Sequence, residues 1–284
     1  MIDMKKFINT HKDSTNGKTM QIIALLSEMQ SYNCNNFDQK NLNFENYSTQ
    51  DLLQNLFLSR LASIEFGHSG WTFCCGSHRN ITEETEKEAK QFGILYGEKF
   101  GHKIPLASGA TSKFMEIINA GYNKSGNASI TATFKIPMEN GIPINTNVNK
   151  EVKYCFTALD FTIMNNFLSN RTAAGVFFEG GIGTTYECFS LLCRRGRIIN
   201  AQAPMIFFST YSSRENIIYN LLKHNDMQNK VYAEDLGHLH LVSTAEEAIE
   251  ILESYDIFQA PQNKEDIQHE DIRKIFSISS DRHI

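Results

Sequence analysis

The chain lacks a basic excess. Its 27 Lys and Arg stand against 32 Asp and Glu, a net charge of -5 with a pI near 6.0. A protein built to grip nucleic acid needs surplus positive charge to neutralise backbone phosphates, so nucleic acid is excluded as the main partner. The six cysteines (Cys34, Cys74, Cys75, Cys155, Cys188 and Cys193) form no C-x-x-C pair and no disulfide-framework spacing. Most lie in apolar segments, where a free thiol packs as a small hydrophobe, and a reducing, cytoplasmic setting is the expectation. No apolar run approaches the roughly 18 residues of a membrane helix, so no membrane partner is expected. Met1 to Asn16 is polar and has no signal-peptide h-region. What is present is 284 residues, 41% hydrophobic and 21% charged, enough for a sizeable core in one large domain or two small ones.

The most informative stretch runs from Gly175 to Glu187. Val176, Phe177 and Phe178 are a short apolar run that reads as a buried strand. Gly180, Gly181 and Gly183 follow, where the backbone turns tightly and stays bare. From Thr184 the spacing becomes helical, with Cys188, Phe189, Leu191 and Leu192 able to share a face. Strand, glycine turn and helix start together offer backbone N–H groups and a positive dipole end to an anion, with phosphate the obvious guest. Thr184-x-x-Glu187 is also a capping box, with Thr184 as N-cap and Glu187 reaching back to the backbone. The stretch leaves both open.

Before Gly70 the chain predicts a helical extension over residues 1–65. Thr19 to Tyr32 carries an apolar stripe, Ser31 to Tyr47 is an Asn- and Asp-rich loop, and a second helix starts at Ser48. From Gly70 strands and helices alternate. Trp71 to Cys75 reads as a strand, Thr82 to Phe100 as a helix and Ile104 to Ala107 as a strand interrupted by Pro105. Ser112 to Tyr122 reads as a helix, Ala128 to Ile136 as a strand, Asn140 to Asn149 as a loop and Val152 to Leu168 as a helix. Pro204 to Ser209 is a strand, Ser213 to His224 a helix and Leu239 to Val242 the last strand. Ser243 and Thr244 then cap a helix reaching about Tyr255, and the chain is polar after Ala260. The fold class expected is α/β: a Rossmann-like, doubly wound, mostly parallel sheet with helices on both faces. It occupies residues 66–258, between the extension and a tail over 259–284. Ligands of such sheets sit at the carboxyl ends of the strands, where the turns at Gly76 and Gly180 open.

The order of these motifs resembles the LOG family, once called lysine-decarboxylase-like, whose cytokinin-activating members are nucleoside 5′-monophosphate phosphoribohydrolases. The family signature P-G-G-x-G-T-x-x-E is matched by Glu179-Gly180-Gly181-Ile182-Gly183-Thr184-Thr185-Tyr186-Glu187. Its first strand ends in G-S-A-R or a close variant, here Gly76-Ser77-His78-Arg79. Its second turn, G-G-G-P-G-I-M-E-A-A-N, aligns with Gly109 to Asn119 and includes Met115 and Glu116. Ile136-Pro137-Met138-Glu139 stands at the family's I-x-L-P-x-E-like strand end. The likeness spans about residues 70–255. It departs where the family carries an Arg-Lys pair on the helix before the signature strand. The matching residues are Phe161 to Asn166, with neither Arg nor Lys, and Arg171 lies farther on. The second turn keeps Gly109 but has Ala110, Thr111 and Lys113 in place of glycines, and Glu179 replaces a proline.

The resemblance implies an N-glycosidic hydrolase that releases free base and ribose 5-phosphate from a nucleoside monophosphate. Glu187 would be the catalytic carboxylate. Gly76, Ser77, Arg79, Gly109, Met115, Glu116, Gly180, Gly181, Ile182, Gly183 and Thr184 would bind substrate. It also implies a homodimer. Loss of the Arg-Lys pair opens the alternative of a nucleotide-binding or sensing protein without catalysis. No lysine-bearing motif for pyridoxal phosphate is identifiable, and no cofactor is expected. His238-x-His240 shares one strand face without an indicated third ligand, so no metal is expected. Cys74 and Cys75 read as core rather than nucleophile. Arg194-Arg195-Gly196-Arg197 reads as a solvated helix end, where positive charge suits the dipole, with a subunit interface or a ligand contact from a neighbouring copy as the alternative.

Overall fold

The computed structural model describes residues 70–77, 81–110, 113–127, 129–134, 136–137, 143–144, 154–158, 161–169, 172–195, 203–209, 216–224, 227 and 236–259. The expected extension over 1–65, the tail beyond Gln259, and His78, Arg79, Thr111, Met138, Glu139, Arg171, Gly196 and Arg197 lie outside the described residues.

Seven strands form one sheet in which every pairing is parallel. They are β1 (Trp71–Cys75), β2 (Leu106–Gly109), β3 (Ile130–Phe134), β6 (Tyr154–Ala158), β7 (Thr172–Phe177), β8 (Met205–Phe208) and β9 (Leu239–Val242), in the order β6-β3-β2-β1-β7-β8-β9. β4 (Ile136–Pro137) and β5 (Pro143–Ile144) pair antiparallel as a separate two-stranded piece. The helices are α1 (Glu83–Lys99), α2 (Lys113–Asn123), α3 (Phe161–Ser169), α4 (Ile182–Arg195), α5 (Ile217–Lys223), α6 (Ala245–Glu253) and α7 (Asp256–Gln259). The chain winds outward from β1 to β6, crosses back through α3 to β7, and winds outward again to β9. The winding therefore reverses between β1 and β7. This is the expected Rossmann-like, doubly wound α/β fold.

The first winding starts with a well-signposted helix. Thr82 is the N-cap of α1 and accepts from the Thr85 N–H at 3.2 Å. Glu83, Glu84 and Glu86 fill the first turn and Lys99 the last, as the helix dipole favours. Ala89, Phe92, Gly93, Tyr96 and Gly97 are buried at helical spacing. α1 packs against α2 almost backbone to backbone, because a side chain on Gly93 would strike the Ile118 carbonyl and one on Gly121 the Lys90 carbonyl. On this face Tyr96 donates its hydroxyl to Thr72 Oγ1 at 2.7 Å, and Phe114, Phe178, Phe208 and Phe92 form a run of ring contacts. Burying each such side chain contributes about 2–3 kcal/mol. On the opposite face Trp71 meets Phe167 of α3, and Gly175 leaves room for Leu191 of α4.

Several elements depart from the sequence expectation. β2 begins two residues late. Pro105 has no N–H to give to a ladder, and it contributes only its carbonyl, to the Thr72 N–H at 3.0 Å. β3 stops at Phe134, and the loop expected over 140–149 contains β5. The single helix expected over Val152–Leu168 is instead β6 followed by α3, with β6 aligned along β3 from Ile130↔Tyr154 to Phe134↔Ala158. Tyr154, Phe156 and Thr157 suit a strand, but the partner that makes them one is distant in sequence. α5 starts after Asn216, whose side chain accepts from the N–H groups of Ile218 and Tyr219. β9 lies where expected, and Thr244 caps α6 by accepting from the Glu247 N–H at 3.2 Å.

Candidate active site at the β1–β7 reversal

The turns after β1 and β7 are clasped together at the carboxyl edge. Phe178 donates its N–H to the Cys75 carbonyl at 2.9 Å, and Ser77 donates to the Glu179 carbonyl at 2.9 Å. The Gly76-Ser77 turn and the Gly180 turn thus meet where the winding reverses, the usual ligand position in open α/β sheets. Gly76 is buried, and the ring of Phe114 fills the space its side chain would take. Gly109 ends β2 half-buried with the Met115 side chain nearest it, at 3.8 Å from an added Cβ. Met115 is buried and Glu116 is half-buried on the first turn of α2. Arg79 lies outside the described residues.

The three signature glycines differ in purpose. None has positive φ, a feature confined among the described glycines to Gly70 and Gly126. Gly180 is glycine for steric reasons, since a Cβ there would collide with the Thr184 side chain. Gly181 and Gly183 face open space, with nothing within 4 Å of an added Cβ. Both are exposed, and Ile182 between them is 91% exposed. Helix α4 opens here: the Thr185 N–H and hydroxyl both donate to the Gly181 carbonyl at 3.0 Å. The helix therefore begins two residues before the expected N-cap at Thr184. The amides of its first turn have no acceptor farther back in the helix, and they carry the positive end of its dipole.

That early start bears on whether Glu187 caps the helix. It lies in the second turn, too deep to cap the helix, so the capping-box alternative fails. Thr184, Glu187, Cys188 and Leu191 are the buried residues of α4, at helical spacing, while Phe189 and Leu192 are only partly buried. A carboxylate thus occupies a core position and is 7% exposed. Burial raises its pKa from 4.5 to about 7, and a hydrogen bond from the Cys75 thiol holds it from rising farther. Burial first, and the Glu187 charge second, push the thiols of Cys74 and Cys75 well above their ordinary value. Both stay protonated and belong to the core rather than acting as nucleophiles. Cys75 is the site residue that sequence reasoning missed. Its signal was alternation, since Trp71, Phe73 and Cys75 share a face.

The neighbouring charge is mainly negative. Glu179, half-buried, lines a small crevice with Glu84, Glu88 and Ser209 on the α1 side. Glu88 also accepts the Ala245 N–H at 2.9 Å. Lys113 pairs with Glu86. An anion would therefore be received on the α4 side of the reversal. Helix α3 packs beside α4 there, with the Phe161 and Tyr186 rings 5.5 Å apart. Asn165 donates to Ser190 Oγ at 2.8 Å, and its buried Oδ1 has no partner among the described residues.

No cluster of three or more His, Cys, Asp or Glu that could hold a metal occurs among the described residues. His238 and His240 do share a face, and both meet the Tyr255 hydroxyl, at 3.0 and 2.7 Å. No described helix is long and apolar enough to cross a membrane.

No family model and no curated protein matches the chain. Among solved structures it is similar to the molybdenum cofactor binding protein of the phototrophic bacterium Rippkaea orientalis. That likeness has 20% identity and a TM-score of 0.44, over 65% of this chain and 94% of that one. It is also similar to the molybdenum cofactor carrier protein of Chlamydomonas reinhardtii. There the identity is 14% and the TM-score 0.48, over 67% of this chain and 99% of that one.

Proposed function

We propose that the β1–β7 reversal binds a nucleoside 5′-monophosphate and that Glu187 promotes hydrolysis of its N-glycosidic bond. The observation that carries this is the pairing of an open glycine turn, Gly181 and Gly183, with a buried acid on the same helix. The 5′-phosphate would take hydrogen bonds from the first-turn amides of α4. Ser77 and Glu116 would hold the ribose or base, and Thr184 would wall the turn. As the bond from C1′ to the base breaks, its electron pair leaves with the base and C1′ becomes cationic. The Glu187 carboxylate would stabilise that centre and orient water, whose oxygen joins C1′ and whose proton passes to the departing base. Free base and ribose 5-phosphate result. In keeping with the family resemblance the protein would act as a homodimer, and its cysteine usage would suit the cytoplasm.

One observation favours a second reading, a nucleotide-binding protein without turnover. Electrostatic stabilisation supplies much of the rate of such reactions, and the Phe161–Asn166 segment beside Glu187 contains no cation. Incubation with AMP and the other monophosphates, with chromatography of released base, separates the two. Release that disappears in Glu187→Ala supports the hydrolase, and release that survives it sinks that assignment. A thermal shift with nucleotide and no product supports binding alone.

A further inference from the structure

Helices α3 and α4 both start at the carboxyl edge of the sheet and meet along one seam. At the edge the Phe161 and Tyr186 rings lie 5.5 Å apart, tilted by 39°. Four residues along both helices, Asn165 Nδ2 donates to Ser190 Oγ at 2.8 Å. Two features of this seam have no part in holding the fold. The first is apolar surface: Tyr186 is 44% exposed, and Ile182, one turn before it on the same face, is 91% exposed. The second is an acceptor. Asn165 is 2% exposed, and its Oδ1 has no partner among the described residues. A buried amide oxygen without a donor is costly. The other end of the same amide touches Ser190, so this oxygen lies in the seam.

We propose that this seam seats the base of the nucleotide, with the Tyr186 and Phe161 rings against its face and Asn165 Oδ1 accepting from an N–H on its edge. The inference rests on the phosphate site proposed above, at the first-turn amides of α4, and not on turnover. That site fixes the direction. A helical side chain leans toward the N-terminus of its helix, so the Tyr186 ring leans back beside the first turn, within reach of a base joined to the same sugar. Asn165 stands roughly 6 Å farther along α3 than Phe161, at 1.5 Å per residue, so a base lying on the rings points an edge towards it. An aromatic platform accepts the face of any base. The amide oxygen adds a requirement, a donor at the edge. The ligand class is therefore a nucleoside monophosphate whose base carries an N–H, such as the amino group of adenine. Ser77 and Glu116 are then left for the ribose.

The test is calorimetric binding to the full chain carrying Glu187→Gln, so that no base is released during the measurement. AMP should bind at least about tenfold tighter than ribose 5-phosphate. Adding Tyr186→Ala should weaken AMP about tenfold, as for a lost base–aromatic stack, and change ribose 5-phosphate by less than about twofold. Tyr186→Phe should bind AMP as the parent does. Purine riboside 5′-monophosphate, whose base has no N–H, should bind about fivefold more weakly than AMP. Asn165→Leu should erase that difference. Equal binding of AMP and ribose 5-phosphate, or equal loss of both in Tyr186→Ala, overturns the base seat and leaves the phosphate site standing. Such a loss with dissociation in sedimentation gives the rings to a contact between copies instead. A preference for AMP over purine riboside 5′-monophosphate that persists in Asn165→Leu also overturns the seat. If neither AMP nor ribose 5-phosphate binds, the phosphate site fails and the seat with it. Tyr186 is exposed, so its variants should fold, and they decide the matter even if Asn165→Leu does not.

Discussion

Glu187 makes stability depend on pH in an unusual sense. Its carboxyl ionises near 4.5 in an unfolded chain and near 7 when folded. Between those values the native state keeps a proton that the unfolded state gives up. The contribution is full below pH 4.5, declines as pH rises to about 7, and is flat beyond, about 3 kcal/mol in all. Glu187→Gln should gain stability over wild type across that window, read as urea midpoints at pH 5, 6, 7 and 8; parallel curves would show that the acid is not buried as described. If the ionised acid works on substrate, kcat/KM should rise with pH towards a plateau above about 7. The same substitution should lower it about 10²- to 10⁴-fold. The glycines separate by the same logic. Gly183→Ala meets nothing in the protein and should leave stability unchanged or raise it by up to about 1 kcal/mol. It should nevertheless weaken nucleotide binding at least about tenfold, if a phosphate lies against that backbone. Gly180→Ala should instead destabilise by about 1–3 kcal/mol, because Thr184 must move. Calorimetry of binding beside thermal melts distinguishes the two.

At the scale of elements, local chemistry was legible wherever a boundary is written in adjacent residues. Thr244 caps a helix as its spacing indicates, the helix expected from Thr82 starts there, and β9 falls on Leu239–Val242. Where a boundary depends on a distant partner, the sequence was silent. Tyr154–Ala158 is a strand because β3 lies alongside it, and nothing within those five residues reports β3. The start of α4 was misjudged for a related reason: glycines suggest an extended turn, and only the Thr185 N–H bond to Gly181 shows that helix has already begun. The glycine turns and Glu187 could be found by motif. Alternation along β1 marks Cys75 as a core residue, but its pairing with the acid was not legible, because the two stand more than a hundred positions apart. The α1–α2 contact offers a clean test at this scale. Gly93→Ala or Gly121→Ala puts a methyl group against a backbone carbonyl that cannot step aside. Each should cost about 1–3 kcal/mol in urea unfolding, a loss absent for Gly183→Ala, where an added Cβ faces open space and φ is not positive.

Among the described residues, the sheet is organised by one reversal of winding. A ligand that binds only the folded chain stabilises it by mass action, by about 2.7 kcal/mol at a hundredfold excess over Kd. A nucleoside monophosphate should therefore raise the melting temperature by several degrees, while the free nucleoside, lacking the phosphate, should raise it far less. Equal shifts with both would remove the phosphate from the account.

The sheet order also divides the chain into two leaves. Residues from Trp71 to Ala158 build β1, β2, β3 and β6, and those from Thr172 onward build β7, β8 and β9, with α3 as the strap between them. The Gly76 turn belongs to one leaf and the Gly180 turn to the other, sewn by the Ser77 and Phe178 amides. The crevice is thus a seam, complete in neither leaf alone.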